Sequence, residues 1–262
     1  MATDKLLTET KGTVGIVIFN NPERRNAVSP DMWDGVEEAL DEFVPNDAIR
    51  VIVLTGAGGK SFISGSDISK FDKVRSTPEQ IEKYNETSAR VHKKLMECPK
   101  PTIAMINGFC MGGGAGFALD CDLRICSDKS QFGIPAAKLG LGYKFSSIRR
   151  LVDVVGPANA KEILFTGGRF SAQEAYHMGL VNKVVPEAEL ESTVMEYAQT
   201  IGDNAPMTIA SIKTIIANIV KDPADRDLEE CERMVDACFK SEDYIEGRTA
   251  FMEKRKANFK GR

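Results

Sequence analysis

Two short apolar segments, each followed at once by a glycine-rich stretch, most restrict the folds open to this chain. Residues 51–54 precede the glycines of 56–59, and Thr102–Ile106 precedes the glycines of 108–116. Short, uninterrupted apolar runs of this kind are typical of strands buried on both faces of a parallel sheet. The pattern predicts an α/β core in which glycine-rich loops leave buried strands.

Predicted helices alternate with these strands. Ser29-Pro30 has the N-cap and first-turn proline of a helix, and Thr77-Pro78-Glu79-Gln80 has the form of a capping box for a helix to about Glu97. From Glu187 onward the pattern is helical. We therefore predict a mixed α/β core over residues 1–200 and a helical C-terminal region over residues 201–262. Further strands are predicted at 13–19, 123–126 and 181–185, and further helices at 146–155, 158–165 and 171–179.

The composition argues against several classes of partner. The chain has 262 residues with 34 Lys plus Arg against 38 Asp plus Glu, a formal net charge of -4. Nucleic acids and anionic membranes require a basic face, so neither is expected as the main partner. Six cysteines without a CxxC pair and only two histidines indicate reduced thiols and no metal site. No signal-peptide core and no membrane span is evident, so we expect a cytoplasmic protein.

The run Gly112-Gly113-Gly114 follows the strand at 102–106, and its segment is predicted to open a helix. Exposed peptide N–H groups at the positive end of a helix suit an oxyanion or a phosphate. The spacing does not fit a dinucleotide-binding fingerprint, because Leu119 stands where its last glycine is needed. The loop at 56–61 does not fit a P-loop, whose first glycine would fall at Leu54. Close packing of a helix on a strand is the alternative explanation for the glycines.

A second candidate loop, Ser61-Phe-Ile-Ser-Gly-Ser-Asp-Ile68, also leaves a predicted strand. A nucleophilic serine usually stands in a GxSxG turn with a histidine base, and the chain has no such motif and only two histidines. A serine triad is therefore not expected. His92 and His177 lie in helical segments and are interpreted as ordinary helix residues.

Four segments follow one another in order: Phe62-Ile-Ser-Gly-Ser-Asp-Ile68, Ile106-Asn-Gly-Phe-Cys-Met-Gly-Gly-Gly114, Cys121-Asp-Leu-Arg124 and Phe132-Gly-Ile-Pro135. Together they resemble the crotonase (enoyl-CoA hydratase/isomerase) superfamily. The likeness extends over nearly the whole chain, since residues 21–27, 174–181 and 251–256 also match.

The resemblance implies a spiral of repeated ββα units followed by a helical trimerisation region, assembled as a trimer or a dimer of trimers. It implies acyl-CoA thioester substrates, with coenzyme A as part of the substrate and no metal or redox cofactor. The family's two oxyanion-hole donors fall on the backbone N–H groups of Ser66 and Gly113. Such donors stabilise the enolate that forms when the α-carbon loses a proton or a carboxylate. We therefore expect an acyl-CoA lyase of the enoyl-CoA hydratase/isomerase type.

The chain departs from the family's hydratases at the two acid–base positions. Where those enzymes carry glutamates, this sequence has Gly116 and Ala136, and neither can carry a proton. Water addition by the two-carboxylate route is therefore in doubt. Tyr143 matches the active-site tyrosine of methylmalonyl-CoA decarboxylases; the alternative is that it packs at the pocket wall. Asp120 lies four residues beyond Gly116 on the same helix face; the alternative is that it pairs with Arg124 or another basic residue.

The resemblance also assigns the coenzyme A end of the site. Arg24 and Arg25 match the region that meets the nucleotide, and Lys254 matches a C-terminal lysine that can reach it. The backbone around Ser64, Ser66 and Ile68 would flank the adenine. The glycine run adds Gly112 to the substrate-binding residues, and residues 71–84 correspond to the wall of the acyl pocket.

Three hypotheses remain from the sequence. The first is an enolate-forming enzyme of the hydratase/isomerase type, with its outcome undecided. The second is a decarboxylase of malonyl-type acyl-CoA that uses Tyr143, because decarboxylation needs an enolate but no strong base. The third is a catalytically silent acyl-CoA-binding protein.

Overall fold

A computed structural model describes residues 3–67 and 76–262. In this part of the chain, ten strands form two sheets and nine α-helices surround them. The strands are β1 (Leu6–Lys11), β2 (Val14–Phe19), β3 (Val51–Gly56), β4 (Ser61–Ile63), β5 (Thr102–Ile106), β6 (Phe109–Met111), β7 (Leu123–Ser127), β8 (Gln131–Gly133), β9 (Phe170–Ser171) and β10 (Lys183–Val185). The helices are α1 (Pro30–Phe43), α2 (Pro78–Met96), α3 (Gly113–Asp120), α4 (Phe145–Thr166), α5 (Ala172–His177), α6 (Leu190–Gly202), α7 (Pro206–Ile219), α8 (Leu228–Lys240) and α9 (Glu242–Glu253).

The larger sheet has the order β1-β2-β3-β5-β7-β10, and every pair except β1–β2 is parallel. The smaller sheet has the order β4-β6-β8-β9, parallel from β4 to β8. Successive strands alternate between the two sheets before each helix. The chain thus repeats a ββα unit three times, as β3-β4-α2, β5-β6-α3 and β7-β8-α4. This confirms the predicted α/β class and the spiral of ββα units.

The core lies on both faces of the larger sheet. One face packs on α1 and α3, where Phe19, Trp33 and Phe117 interlock. The other face packs on α6 through Leu190, Val194 and other apolar residues. Because both faces are covered, the central strands are apolar along their whole length, which is the pattern that the sequence displays.

The predicted helix starts are confirmed. Ser29 precedes Pro30 at the start of α1, and the Gln80 N–H donates to the Thr77 hydroxyl at 3.3 Å at the start of α2. The helices predicted at 146–155 and 158–165 form α4, which is broken at Gly156, whose φ is 74°. The strand predicted at 181–185 is shorter, because only Lys183–Val185 pairs with β7.

The C-terminal helices pack on the core at several points. The Lys213 ammonium on α7 lies 2.7 Å from the Asp122 carboxylate, and the Arg50 guanidinium donates to the Phe259 carbonyl at 3.4 Å. The predicted boundary after residue 200 falls in the last turn of α6, and it stays a prediction. Among the helices of the described residues, none is both long and apolar enough to span a bilayer.

Candidate active site

The two candidate loops meet because the strands that lead into them are neighbours. Ser61 of β4 pairs with Phe109 of β6, and the two strands run parallel. The residues that follow parallel neighbours leave the sheet at the same edge. The segments Ser64–Ser66 and Gly112–Gly113 therefore emerge side by side, as a shared ligand site requires.

The loop after β4 is fixed from a third segment of the chain. The Val28 N–H donates to the Gly65 carbonyl at 2.8 Å, and the Asp67 N–H donates to the Val28 carbonyl at 2.9 Å. These bonds form a single parallel bridge between Val28 and Ser66. Gly65 has a φ of 112°, which an L-residue rarely adopts, so glycine is required at this turn.

The backbone nitrogen of Ser66 lies close to Gly113. A Cβ added to Gly113 would stand 3.8 Å from that nitrogen and 3.8 Å from the Ser66 hydroxyl oxygen. Gly113 is the first residue of α3, so its N–H belongs to the end of the helix that has no intrahelical acceptor. The positive end of the α3 dipole lies at the same point. The two loops thus place two main-chain nitrogens around a space with positive potential.

The three adjacent glycines differ in what surrounds them. A Cβ on Gly113 would meet nothing closer than 3.8 Å, whereas a Cβ on Gly114 would stand 2.8 Å from Ile63 Cβ and closer still to the Ile63 carbonyl. Gly114 therefore permits the close packing of α3 on β4. Gly112 adopts a φ of 53° and donates its N–H to the Gly133 carbonyl at 2.8 Å. Close packing of a helix on a strand therefore explains the glycine at 114 but not the one at 113.

Arg24 and Arg25 lie beside the loop that carries Ser64 and Ser66. The Ser64 N–H donates to the Arg25 carbonyl at 3.1 Å, and the Ser64 hydroxyl donates to the Arg24 carbonyl at 3.3 Å. Both arginine side chains are exposed. The Arg25 guanidinium lies 5.2 Å from the centre of the Phe109 ring, and that of Arg169 lies 5.5 Å from the same ring. Arg169 is a cation that the sequence patterns did not indicate.

The His92 side chain, which belongs to another helix, lies in front of Gly116, the first of the two positions at which the resemblance predicts a glutamate. A Cβ on Gly116 would stand 3.4 Å from Cε1 and 3.9 Å from Nε2 of His92, a residue of α2. The His92 ring contacts Trp33 and Phe117, with centroid distances of 5.1 Å and 5.0 Å. Burial lowers the pKa of His92 to about 3, and the positive charge of Arg150 acts in the same direction. The imidazole is therefore neutral at physiological pH.

Asp120 is fully buried and connects His92 with Arg150. One carboxylate oxygen contacts His92 Nδ1, and the other forms an ion pair with the Arg150 guanidinium on α4. The sequence offered Arg124 or another basic residue as the partner of Asp120, and the partner is Arg150. The Arg124 guanidinium donates instead to the carbonyls of Leu180, Ala118 and Cys121. The neighbouring Asp122 carboxylate binds Thr102 and Lys213.

Two tyrosines lie near these loops. Tyr84, on the same face of α2 as His92, donates its hydroxyl to Ser66 Oγ at 3.0 Å. Tyr143 is partly buried against the core between β8 and α4, and burial raises the pKa of its hydroxyl. It therefore stays protonated at neutral pH.

The remaining predicted site residues lie elsewhere or outside the description. Ala136 is buried in a short 3-10 helix after β8 and carries no polar side chain. Lys254 is exposed at the C-terminal end of α9. Ile68 and positions 71–75 of the acyl-pocket wall lie outside the described residues.

The cysteines do not add a nucleophile to this site. All six are free thiols, and burial raises the pKa values of Cys121 and Cys126 to about 12. Within residues 3–67 and 76–262, no cluster of three His, Cys, Asp or Glu side chains is arranged to hold a metal ion.

Comparison with known proteins identifies the family. The sequence matches the family model for enoyl-CoA hydratase/isomerase over residues 9–262. A short-chain-enoyl-CoA hydratase of Clostridium acetobutylicum is 35% identical over 263 positions, covering 100% of both chains. A crotonyl-CoA hydratase of Syntrophomonas wolfei is 32% identical and is covered to 99%, as is this chain.

A crystal structure of an enoyl-CoA hydratase/carnithine racemase from Magnetospirillum magneticum superimposes with a TM-score of 0.91 and 34% identity, covering 99% of this chain and 97% of that one. The fold, the paired glycine loops and these similarities lead to one conclusion. The chain belongs to the enoyl-CoA hydratase/isomerase family of the crotonase superfamily.

Proposed function

We propose that this protein is an acyl-CoA-acting enzyme that polarises a thioester carbonyl with the backbone N–H groups of Ser66 and Gly113. The observation that carries the proposal is the 3.8 Å approach of the Ser66 nitrogen to the Cβ position of Gly113. Two main-chain donors at a helix start, aimed at one oxygen, stabilise the charge that develops on it as an enolate forms. Relatives named as enoyl-CoA and crotonyl-CoA hydratases support the acyl-CoA substrate class.

The coenzyme A moiety is assigned to the side of the loop that carries Arg24 and Arg25. Their carbonyls hold Ser64, so their exposed guanidinium groups are tied to the loop that bears the Ser66 donor. Guanidinium groups bind phosphates through paired hydrogen bonds. Arg169 extends the same cationic region across the Phe109 ring. Because CoA arrives as part of the substrate, no separate cofactor is required for enolate formation.

The reaction is best tested at the step that all enolate chemistry shares. The protein is incubated with acetyl-, butyryl- and hexanoyl-CoA in heavy water, and α-hydrogen exchange is followed by NMR. Exchange that falls about 100- to 1,000-fold when Gly113 is replaced supports the proposal. Tight acyl-CoA binding in calorimetry without exchange of any substrate contradicts it and identifies a silent acyl-CoA-binding protein.

Decarboxylation of a malonyl-type acyl-CoA is the second candidate, favoured by the protonated hydroxyl of the partly buried Tyr143. In this reaction the bond from the α-carbon to the carboxylate breaks, carbon dioxide leaves, and the electron pair passes into the enolate. Carbon dioxide release from methylmalonyl-CoA is the measurement. Undiminished release by a Tyr143→Phe variant would remove the tyrosine from the mechanism.

Self-association through the C-terminal helices is part of the same proposal. These helices surround an apolar groove of about 870 Å³. Phe251 and Met252 are 82% and 80% exposed in the single chain, an unusual state for large apolar side chains. We define the C-terminal apolar surface as Ile212, Phe239, Tyr244, Phe251 and Met252. A second and third copy of this chain are its proposed occupants.

A further inference from the structure

We infer that His92 is a catalytic base of this site and takes the place of the carboxylate that is missing at position 116. The inference rests on the proposed function and assigns the group that removes the α-hydrogen of the acyl-CoA. It is carried by geometry, because the His92 ring fills the space in front of Gly116.

The position of His92 relative to the two loops suits a base for the α-hydrogen. Gly116 lies one helical turn beyond Gly113 on the same face of α3, about 4.5 Å along the helix axis. The substrate α-carbon is two bonds from the oxygen that the Gly113 N–H would hold. A base in front of Gly116 is therefore close to the α-hydrogen. A larger residue at 116 would meet the imidazole, so the glycine and the histidine fit each other.

Of the two ring nitrogens of His92, Nε2 is the one that can accept a proton. A carboxylate only accepts hydrogen bonds, so the contact of Asp120 with Nδ1 places the imidazole hydrogen on that atom. Nε2 then carries the lone pair. This is also the nitrogen that lies 3.9 Å from the Cβ position of Gly116. The tautomer is thus set by Asp120, and the free lone pair lies beside the vacated position.

The groups around His92 determine the charge of its imidazole. The Asp120 side chain is completely buried and forms an ion pair with the Arg150 guanidinium. The apolar rings of Trp33 and Phe117 enclose the rest of the imidazole. These surroundings keep His92 neutral before the reaction. The imidazolium that forms on proton transfer lies against the Asp120 carboxylate, which offsets part of the cost that burial and Arg150 impose on it.

The chemical step balances without another reactant. The α-carbon–hydrogen bond breaks, the proton passes to His92 Nε2, and the bonding electron pair moves into the enolate whose oxygen is held by the two loop N–H groups. Returning the proton, or a deuteron from solvent, to carbon completes an exchange cycle. His92 touches the substrate in this scheme, whereas Asp120 and Arg150 act only through it as positioning residues.

The test is α-hydrogen exchange of butyryl-CoA in heavy water, which has no double bond and reports only this step. His92→Gln is expected to lower the exchange rate about 100- to 10,000-fold, the usual contribution of a general base, with butyryl-CoA affinity changed less than about threefold. The matched control is His177→Gln, which makes the same change at the only other histidine, an exposed residue of α5. It should exchange at the wild-type rate.

A second arm separates a base from a structural residue. Imidazole added to His92→Ala should restore exchange in proportion to its concentration, which a loss of packing alone would not allow. If His92→Gln does not fold, diethylpyrocarbonate is applied to the His177→Gln protein, in which His92 is the only histidine left. Exchange should then fall as His92 is acylated and return when hydroxylamine removes the group.

The outcomes distinguish the inference from the proposed function. Folded His92→Gln that exchanges within about threefold of wild type overturns the base assignment, and a Gly113 variant that still loses exchange leaves the enolate proposal standing. Wild-type protein that exchanges no acyl-CoA overturns both.

Discussion

The buried side-chain amide of Asn26 donates to the Ser61 carbonyl at 2.7 Å and to the Ala57 carbonyl at 2.9 Å. Its oxygen accepts the Asn21 N–H at 2.9 Å. One side chain therefore joins the segment that bears Arg24 and Arg25 to the start of β4, three residues ahead of Ser64.

We expect Asn26→Ala to destabilise the fold by about 2–4 kcal/mol, because it removes three hydrogen bonds to main-chain groups that are buried or partly buried. Urea unfolding measures this. Asn26→Asp keeps the volume but not the two donors, so it should be at least as harmful. Asn204→Ala, at an exposed asparagine, should change the free energy of unfolding by less than about 0.5 kcal/mol. An Asn26→Ala protein as stable as this control would show that the three hydrogen bonds contribute nothing net.

Alanine substitutions at the adjacent glycines 113 and 114 should have different effects, one on activity and the other on stability. Gly113→Ala has room for its methyl group, since nothing lies closer than 3.8 Å, but the methyl group stands beside the Ser66 nitrogen. We expect a melting temperature within a few degrees of wild type. The main-chain N–H of residue 113 remains, but the methyl group would keep the substrate oxygen away from the Ser66 N–H, so exchange should slow by up to about 100- to 1,000-fold, the effect of losing one oxyanion donor.

Gly114→Ala places its methyl group against Ile63 of β4 at 2.8 Å, so the helix start must shift or the protein unfold. We expect a loss of about 1–3 kcal/mol in the free energy of unfolding, measured by urea denaturation. Equal effects of the two substitutions on stability would contradict the separate roles given to these glycines.

Acid should destabilise the protein through His92. Its pKa is lowered from 6.5 to about 3 by burial and by Arg150. Between these values the unfolded chain binds more protons than the folded one, so stability falls as the pH is lowered below 6.5. The dependence is about 1.4 kcal/mol per pH unit, or about 2 kcal/mol between pH 6.5 and pH 5.

The measurement compares wild type with His92→Gln by urea unfolding at several pH values. Asp120 and Arg150, the charged groups around the ring, are present in both proteins, so the difference in slope isolates the imidazole. Wild type should lose stability more steeply than His92→Gln. Parallel profiles would mean that His92 is protonated to the same extent in the folded and unfolded states.

Charge on the C-terminal apolar surface should dissociate the oligomer. Phe251→Glu is expected to shift the protein toward monomer in light scattering after gel filtration, because association would bury the carboxylate in an apolar contact. Phe165→Glu is the control, since Phe165 is 74% exposed at the end of α4, outside this surface. A monomeric wild-type protein at micromolar concentration would rule out the proposed trimer.

Much of the fold could be predicted from local patterns. The β-branched strands, the proline at the start of α1 and the threonine cap of α2 act within a few residues, so they are visible in sequence. The smaller sheet was missed because β4, β6 and β8 are each three residues long, too short for a pattern. Their pairing joins residues as far apart as Ser61 and Phe109, and nothing near either residue encodes it.

Part of the candidate site could also be predicted from local patterns, and part could not. The glycine loops at 65 and 112–114 are evident, because the positive φ of Gly65 and Gly112 and the close packing at Gly114 all favour that residue type. His92 was interpreted as an ordinary helix residue, since no local feature indicates that α2 crosses the face of α3. The proposed roles of Gly116 and His92 depend on the contact between them. Because the two residues are 24 positions apart in the chain, neither role could be predicted from the sequence near either residue.

The parallel pairing of β4 and β6 has a consequence for how such proteins diversify. The atoms proposed to bind the carbonyl oxygen belong to the main chain, and hydrogen bonds between the strands determine the distance between them. Replacing a neighbouring side chain leaves that spacing intact. A lineage can therefore discard one acid–base group and recruit another from a different helix while its electrophile-binding geometry is preserved.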